Sequence, residues 1–331
     1  NGGRIEGGLG RFGGLLSGRL LHGAANALLA DGPQPYGYHD ALARGEVSLG
    51  SGTLSVTGFR NEESVNLDPL LGLETQGLAF VDTPGARSAA TTDAAWSNSV
   101  VSTRFHTPVG AWRLGATAAL SDYDARLPVG DTTLTIIGGS SAKAHFALNA
   151  DRPTRWGNAS LGLSYDDVRV KERTDQIVGT ALGTSSRSVR GRTAGGYVEA
   201  SRNFEGLTVR GGLRADAFEG HGRLELSPRA SLLVPLSETA LFRIAAGRFT
   251  QLTRRSDPAV ESELGIRVPG LGDEPLLAVA TATHLVVSLD QRLTSSVTVG
   301  LEGFVKSFNG LPDAGGDRVN ASGMDIRVAR N

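Results

Sequence analysis

The chain has 331 residues, a formal net charge of −1, 45 glycines, one methionine and no cysteine. Without cysteine there are no disulfides, thiolate metal ligands or cysteine nucleophiles. A near-neutral chain without a basic run offers no phosphate-reading surface, so nucleic acid is excluded as a partner. The longest apolar runs fall far short of the ~20 residues that a membrane-crossing helix needs.

In chain order the dominant signal is alternation, the mark of a strand whose successive side chains point to opposite faces. Segments 3–11 and 14–21 read as a glycine-rich hairpin. Its Gly8, Gly10 and Gly13 have the spacing of a dinucleotide-binding turn, but no helix pattern follows, so they are read as strand glycines. In 99–107, Val101, Thr103 and Phe105 oppose Arg104 and His106; in 111–121, Trp112, Leu114 and Leu120 oppose Arg113 and Ser121. In 142–149, Ala144, Phe146 and Leu148 oppose Lys143 and His145, and in 158–166 Leu161, Leu163 and Tyr165 oppose Ser164 and Asp166. Residues 207–218, LTVRGGLRADAF, place Val209, Leu213 and Ala215 on one face and Arg210, Arg214 and Asp216 on the other. The same division recurs in 228–234 around Arg229, in 284–290 around His284 and Asp290, and in 297–306 around Glu302 and Lys306.

Short turns at 107–110, 151–155, 203–206, 235–238 and 292–296 alternate with long connections at 61–96, 124–139, 171–189, 219–226, 251–281 and 309–319. That rhythm gathers the tight turns at one rim and the long loops at the other, as in outer-membrane barrels. The alternating stretches also approach the ~9–11 residues a tilted strand needs to cross a bilayer. The expected fold is all-β, an antiparallel transmembrane β-barrel whose apolar parity faces outer-membrane lipid. A soluble β-sandwich used for adhesion or binding is the competing reading of the same alternation. Trp112, Trp156, Tyr165 and Phe204 fall near turns or strand ends, where interfacial aromatics belong.

Three stretches carry a family resemblance. Residues 18–65, a strand, a "PxPYxxxD" connection and a hairpin, resemble the early barrel of TonB-dependent outer-membrane receptors. Residues 226–251, "LSPRASLLVPLSETALFRIAAGRFTQ", and 282–312 resemble later hairpins of that family. The resemblance implies part of a larger, 22-stranded barrel that takes up a scarce nutrient by an energy-coupled, plug-gated mechanism. No plug and no last strands are visible, so the chain is expected to be a barrel segment of about 13–15 strands running over 1–331. A periplasmic energy-coupling protein is then an implied partner, provided the full protein carries a plug and its box. A passive porin-like channel is the alternative.

No enzyme motif is present and no cofactor is implied. The candidate lumen-facing residues are Arg104, His106, Lys143, His145, Glu199, Arg210, Arg214, Asp216, Arg229, Arg243, His284, Asp290, Glu302 and Lys306, joined by Arg113 and Asp166. Their positive excess favours an anionic nutrient such as a ferric chelate or a carboxylated oligomer. The three histidines sit on separate strands without metal-ligand spacing, and are read as polar lumen residues. Asp166 with Asp167, and Asp122 with Asp124, are read as solvated strand-end residues. Ligand contact is expected in the long loops, at Arg254, Arg255, Asp257, Glu261 and Glu263.

Overall fold

A computed structural model of the chain describes residues 2–21, 36–66, 93–129, 134–178, 181–254, 277–310 and 319–330. They form fifteen strands: β1 (Gly2–Leu9), β2 (Phe12–Leu21), β3 (Tyr36–Leu49), β4 (Gly52–Asn66), β5 (Asp93–Val109), β6 (Trp112–Val129), β7 (Leu134–Thr154), β8 (Gly157–Val178), β9 (Ala181–Phe204), β10 (Leu207–Phe218), β11 (Leu224–Pro235), β12 (Ala240–Arg254), β13 (Leu277–Arg292), β14 (Val297–Asn309) and β15 (Val319–Arg330). All lie in one sheet, each strand beside its sequence neighbour, and the pairings are antiparallel throughout. β1 and β15 flank the sheet and do not pair with each other among the described residues.

Successive hairpins turn at 10–11, 50–51, 110–111, 155–156, 205–206, 236–239 and 293–296, all at one rim. Several of these turns need a left-handed backbone, which glycine supplies without steric cost. The tightest case is Gly157, with φ at 140°, where an added Cβ would stand 1.9 Å from the Ser201 carbonyl oxygen.

The strands run farther than alternation alone indicates. The expected loops at 124–139 and 171–189 are largely strand, because β6 continues to Val129, β7 begins at Leu134, β8 continues to Val178 and β9 begins at Ala181. The expected short turns are likewise trimmed from both sides, and Arg254 closes β12 instead of lying in a loop. The physical reason lies in the surroundings of the strand ends. Where both faces of a ribbon meet water, side chains need not alternate in polarity, while backbone hydrogen bonds still propagate the ladder.

Register separates the two faces cleanly. Leu54, Phe105, Ala116, Leu148, Leu163, Gly196 and Ala215 stand opposite one another across β4 to β10. This apolar face is uncovered: Leu120 is 65% exposed, Leu163 62% and Val198 61%. A soluble sandwich would bury that face against a second sheet, and the described residues form only one sheet. The sandwich reading therefore falls. The small buried cluster of Ala94, Leu127 and Ile137, with Val65 and Trp96 packed on it, sits on the opposite face near the ends of β4–β7 away from the short turns.

On the apolar face, positions at 41–49, 52–58, 101–109, 112–120, 159–165, 194–200 and 207–217 carry no Asp, Glu, His, Lys or Arg. Moving away from the short turns, the next residue on that face is His39, Arg60, Asp122, Asp167 or Arg192 on β3, β4, β6, β8 and β9, and Glu219 just beyond β10. The runs 41–49, 101–109, 112–120 and 207–217 thus match the ~9–11 residues that cross a hydrocarbon layer. β7, β8 and β9, with 21, 22 and 24 residues, continue well past it.

Candidate functional site: the polar face of the sheet

The opposite parity gathers the charged candidates. One row of facing residues runs Arg113, Asp151, Ser160, Glu199, Gly212, Arg229, Gly247, His284, Lys306 across β6 to β14. Neighbouring rows bring Arg104 opposite Thr117 and His145 opposite Asp166. Every strand supplies alternate residues to this face because the pleat has a period of two.

Asp166, Glu199, Asp290 and Asp216 are each paired with a basic side chain. Asp166 accepts from Lys143 at 2.9 Å and from His145 Nδ1 at 2.8 Å. Glu199 pairs with Arg210, and Asp290 with Arg243 at 2.8 Å. Asp216, 2% exposed, accepts a forked pair of bonds from Arg214, with Nε 2.9 and 2.8 Å from the two carboxylate oxygens, while Arg214 also donates to Ser164 Oγ at 3.1 Å. Gly195 makes room for this pair, since a Cβ there would lie 2.2 Å from Asp216 Oδ1. Glu302 faces Ser288 on the same side.

Arg104, Arg113, Arg229 and Lys306 form no ion pair among the described residues. Arg229 lies over the Phe249 ring at 5.5 Å and Lys306 over Phe304 at 4.8 Å. His284 sits between Phe249 and Phe308, ring centroids 5.0 and 5.8 Å away, and its Nε2 has no hydrogen-bond partner among the described residues. A cleft of about 310 Å³ opens among Asp151, Ser160, Glu199, Arg210, Arg214 and Arg229. A second, about 320 Å³, shares Glu199, Arg210 and Arg229 and reaches Phe249 and His284. Together they make a continuous basic and aromatic trough. His106, opposite Gly115, stands apart from it. Among the described residues no cluster of three or more His, Asp or Glu side chains is arranged to hold a metal. Arg255, Asp257, Glu261 and Glu263 lie outside the described residues, as does the side chain of Arg254.

Two further clusters were not singled out from the sequence. Beyond the apolar band, Arg19 donates to Asp40 at 2.7 Å and Tyr38 also bonds Asp40. The Arg19 guanidinium, and then the Tyr38 hydroxyl, hold the Asp40 carboxyl below its ordinary range. Nearby, burial and a 2.8 Å bond to Glu63 push the Tyr36 hydroxyl up to about 12. The second cluster is Glu225, 2% exposed, which takes bonds from Arg223 and Arg248 at 2.6 Å each and from His221 at 3.1 Å. Asp166 and Asp167 diverge onto opposite faces, the latter meeting Arg190 Nε at 2.8 Å and Arg192 at 3.7 Å. A hollow of about 800 Å³ on β6–β9, beyond the band, is lined by Asp124, Arg126, Lys171, Glu172 and Arg173; burial raises the Asp124 and Glu172 carboxyls, with Asp122 adding to the first.

No family model and no curated protein sequence matches the chain. Solved structures do. The unliganded ferric citrate transporter FecA superposes with a TM-score of 0.68 at 11% identity, over 98% of this chain and 52% of that one. The ferric yersiniabactin uptake receptor FyuA from Yersinia pestis gives 0.68 at 10% identity, over 99% and 55%. The ferric-catecholate import receptor Fiu from E. coli K12 gives 0.60 at 12%, over 99% and 60%. The chain thus spans a little over half the length of these proteins. At such identities the likeness is one of architecture, and the fifteen antiparallel strands in one sheet have the fold of outer-membrane β-barrel receptors.

Proposed function

We propose that this chain is a barrel segment of an outer-membrane uptake receptor of the TonB-dependent type, taking up an anionic nutrient of the ferric-chelate class. The observation that carries the reading is the division of a single sheet into an uncovered apolar face and a polar face that holds Arg104, Arg113, Arg229 and Lys306 without an ion pair among the described residues. The apolar face meets outer-membrane lipid; the polar face lines the interior, where further strands close the barrel and a plug occupies it. In that interior these side chains repel metal cations and draw anions, because a water-filled, low-dielectric-walled channel focuses the field of its fixed charges. The paired residues Arg214–Asp216, Arg210–Glu199 and Arg243–Asp290 hold strand to strand or brace the wall, leaving little net charge of their own. The iron chelates named for FecA, FyuA and Fiu supply the ligand class, and energy coupling through a periplasmic partner follows from the plugged form.

The test is uptake of radiolabelled iron as the citrate or a catecholate chelate. The native polypeptide is expressed in cells lacking their own ferric-chelate receptors. Saturable uptake that a protonophore abolishes, and that R104A/R229A weakens, is the expected result. Uptake that neither saturates nor needs energy would replace this reading with a passive channel.

A further inference from the structure

Most arginines of the sheet answer a carboxylate: Arg4 meets Glu6, Arg44 Glu46, Arg60 Glu62, Arg173 Asp175 and Arg223 Glu225. Of those at the short-turn rim that do not, three stand on aromatic rings. Arg152 near the end of β7, Arg155 in the β7–β8 turn and Arg202 near the end of β9 have no ion pair among the described residues, and Glu205 in the next turn pairs with none of them. Each lies over an aromatic ring instead. The Arg152 guanidinium carbon is 5.4 Å from the Trp112 centroid, that of Arg155 is 4.4 Å from Trp156, and that of Arg202 is 4.9 Å from Trp156 and 4.2 Å from Phe204.

Register puts Arg152 opposite Ala159 and Arg202 opposite Val209, on the apolar face and at its edge. The rings beneath are open, Trp156 being 54% and Phe204 43% exposed. A guanidinium held over a ring, with no carboxylate answering it among the described residues, keeps N–H donors free for another acceptor. Three such groups over adjoining hairpins form a fixed cationic patch, with apolar surface continuing from it past Leu114, Leu148 and Leu161. An occupant complementary to both needs anionic oxygens joined to an acyl chain.

We infer that this patch seats the headgroup phosphate of an acidic phospholipid in the leaflet at the short-turn rim, with the acyl chains lying along the apolar face. The inference rests on the outer-membrane reading above. It assigns the aromatic residues of this rim a task besides anchoring, which is to hold the guanidinium groups at the headgroup level. A cation near an anionic lipid surface contributes roughly a fivefold change in affinity, so three together amount to roughly a hundredfold.

The test uses the native polypeptide in nonionic detergent, with thermal unfolding followed while short-chain phosphatidylglycerol, short-chain phosphatidylcholine or inorganic phosphate is added. Phosphatidylglycerol is expected to raise the midpoint, phosphatidylcholine far less and phosphate not at all. R152Q/R155Q/R202Q should weaken the phosphatidylglycerol response roughly a hundredfold, while R60Q, on the same face away from the patch, should leave it intact. Equal responses to the two lipids, a response reproduced by phosphate, or an unaffected triple variant would each overturn the inference. If the triple variant does not fold, the unaltered protein still decides. Its preference for phosphatidylglycerol must fade toward ~1 M salt, where charges are screened within about 3 Å, and a preference that persists overturns the inference. A chain that folds without detergent would instead sink the membrane reading itself.

Discussion

Asp216 is the residue on which the inner wall of β8–β10 depends most. Its carboxylate is almost fully enclosed, and among the described residues the Arg214 fork is the charged group that meets it. Asp216→Ala leaves a half-buried guanidinium without its acceptor, so a loss of about 2–3 kcal/mol is expected, measurable by urea unfolding of the native protein in detergent. Asn is expected to recover part of it by keeping one acceptor oxygen. Tyr36 makes a prediction at the alkaline end. Burial and the bond to Glu63 raise its pKa to about 12, so the folded chain keeps a proton that the unfolded chain releases near pH 10. Stability from this group is therefore complete below ~10 and is lost as pH rises through about 12. Absorbance titration of tyrosinate should show Tyr36 titrating late, alongside Tyr38, whose hydroxyl the bond to Asp40 also raises, and Tyr36→Phe should remove the later of the two. Part of this residue-level wiring was open to reading from the sequence. The motif basic-x-acidic occurs at Arg4/Glu6, Arg44/Glu46, Arg60/Glu62, Arg173/Asp175, Arg214/Asp216 and Arg223/Glu225, and two residues apart on a strand means the same face. Pairs between strands, such as Arg243–Asp290 or Arg19–Asp40, need the register, which no local pattern supplies.

At the scale of single elements, the β7–β8 hairpin has the least tolerance. Gly157→Ala would force a side chain into a φ of 140° and against the Ser201 carbonyl, so it should cost more than ~1 kcal/mol. Gly45→Ala, where an added Cβ meets nothing within 4 Å, should be near neutral in the same unfolding assay. The turns and the membrane-spanning halves of the strands were legible because hydrocarbon on one side and polar groups on the other enforce alternation, as 111–121 and 158–166 show. The outer halves of β6 to β9 were not, because Asp122, Asp124, Arg169, Lys171 and Arg190 follow the apolar parity into water and erase the signal there. The trough around Arg229 and His284 was legible only as a set of inward residues. That they adjoin depends on Gly212 and Gly247 standing between them in the row, which sequence spacing does not reveal.

For the whole molecule, an uncovered apolar band predicts dependence on detergent or lipid. Unboiled native protein should migrate on a gel as a compact species that boiling converts to an extended one, and a single mobility at both temperatures would count against the barrel. The strand order has a mechanical consequence as well. Because each described strand is bonded only to its neighbours in sequence, no described strand threads past another and the sheet is wired like a row of stitches. Drawn out of a bilayer by one flank, it should come away hairpin after hairpin in steps of comparable force, each released pair exposing an edge ready to take the same pair back.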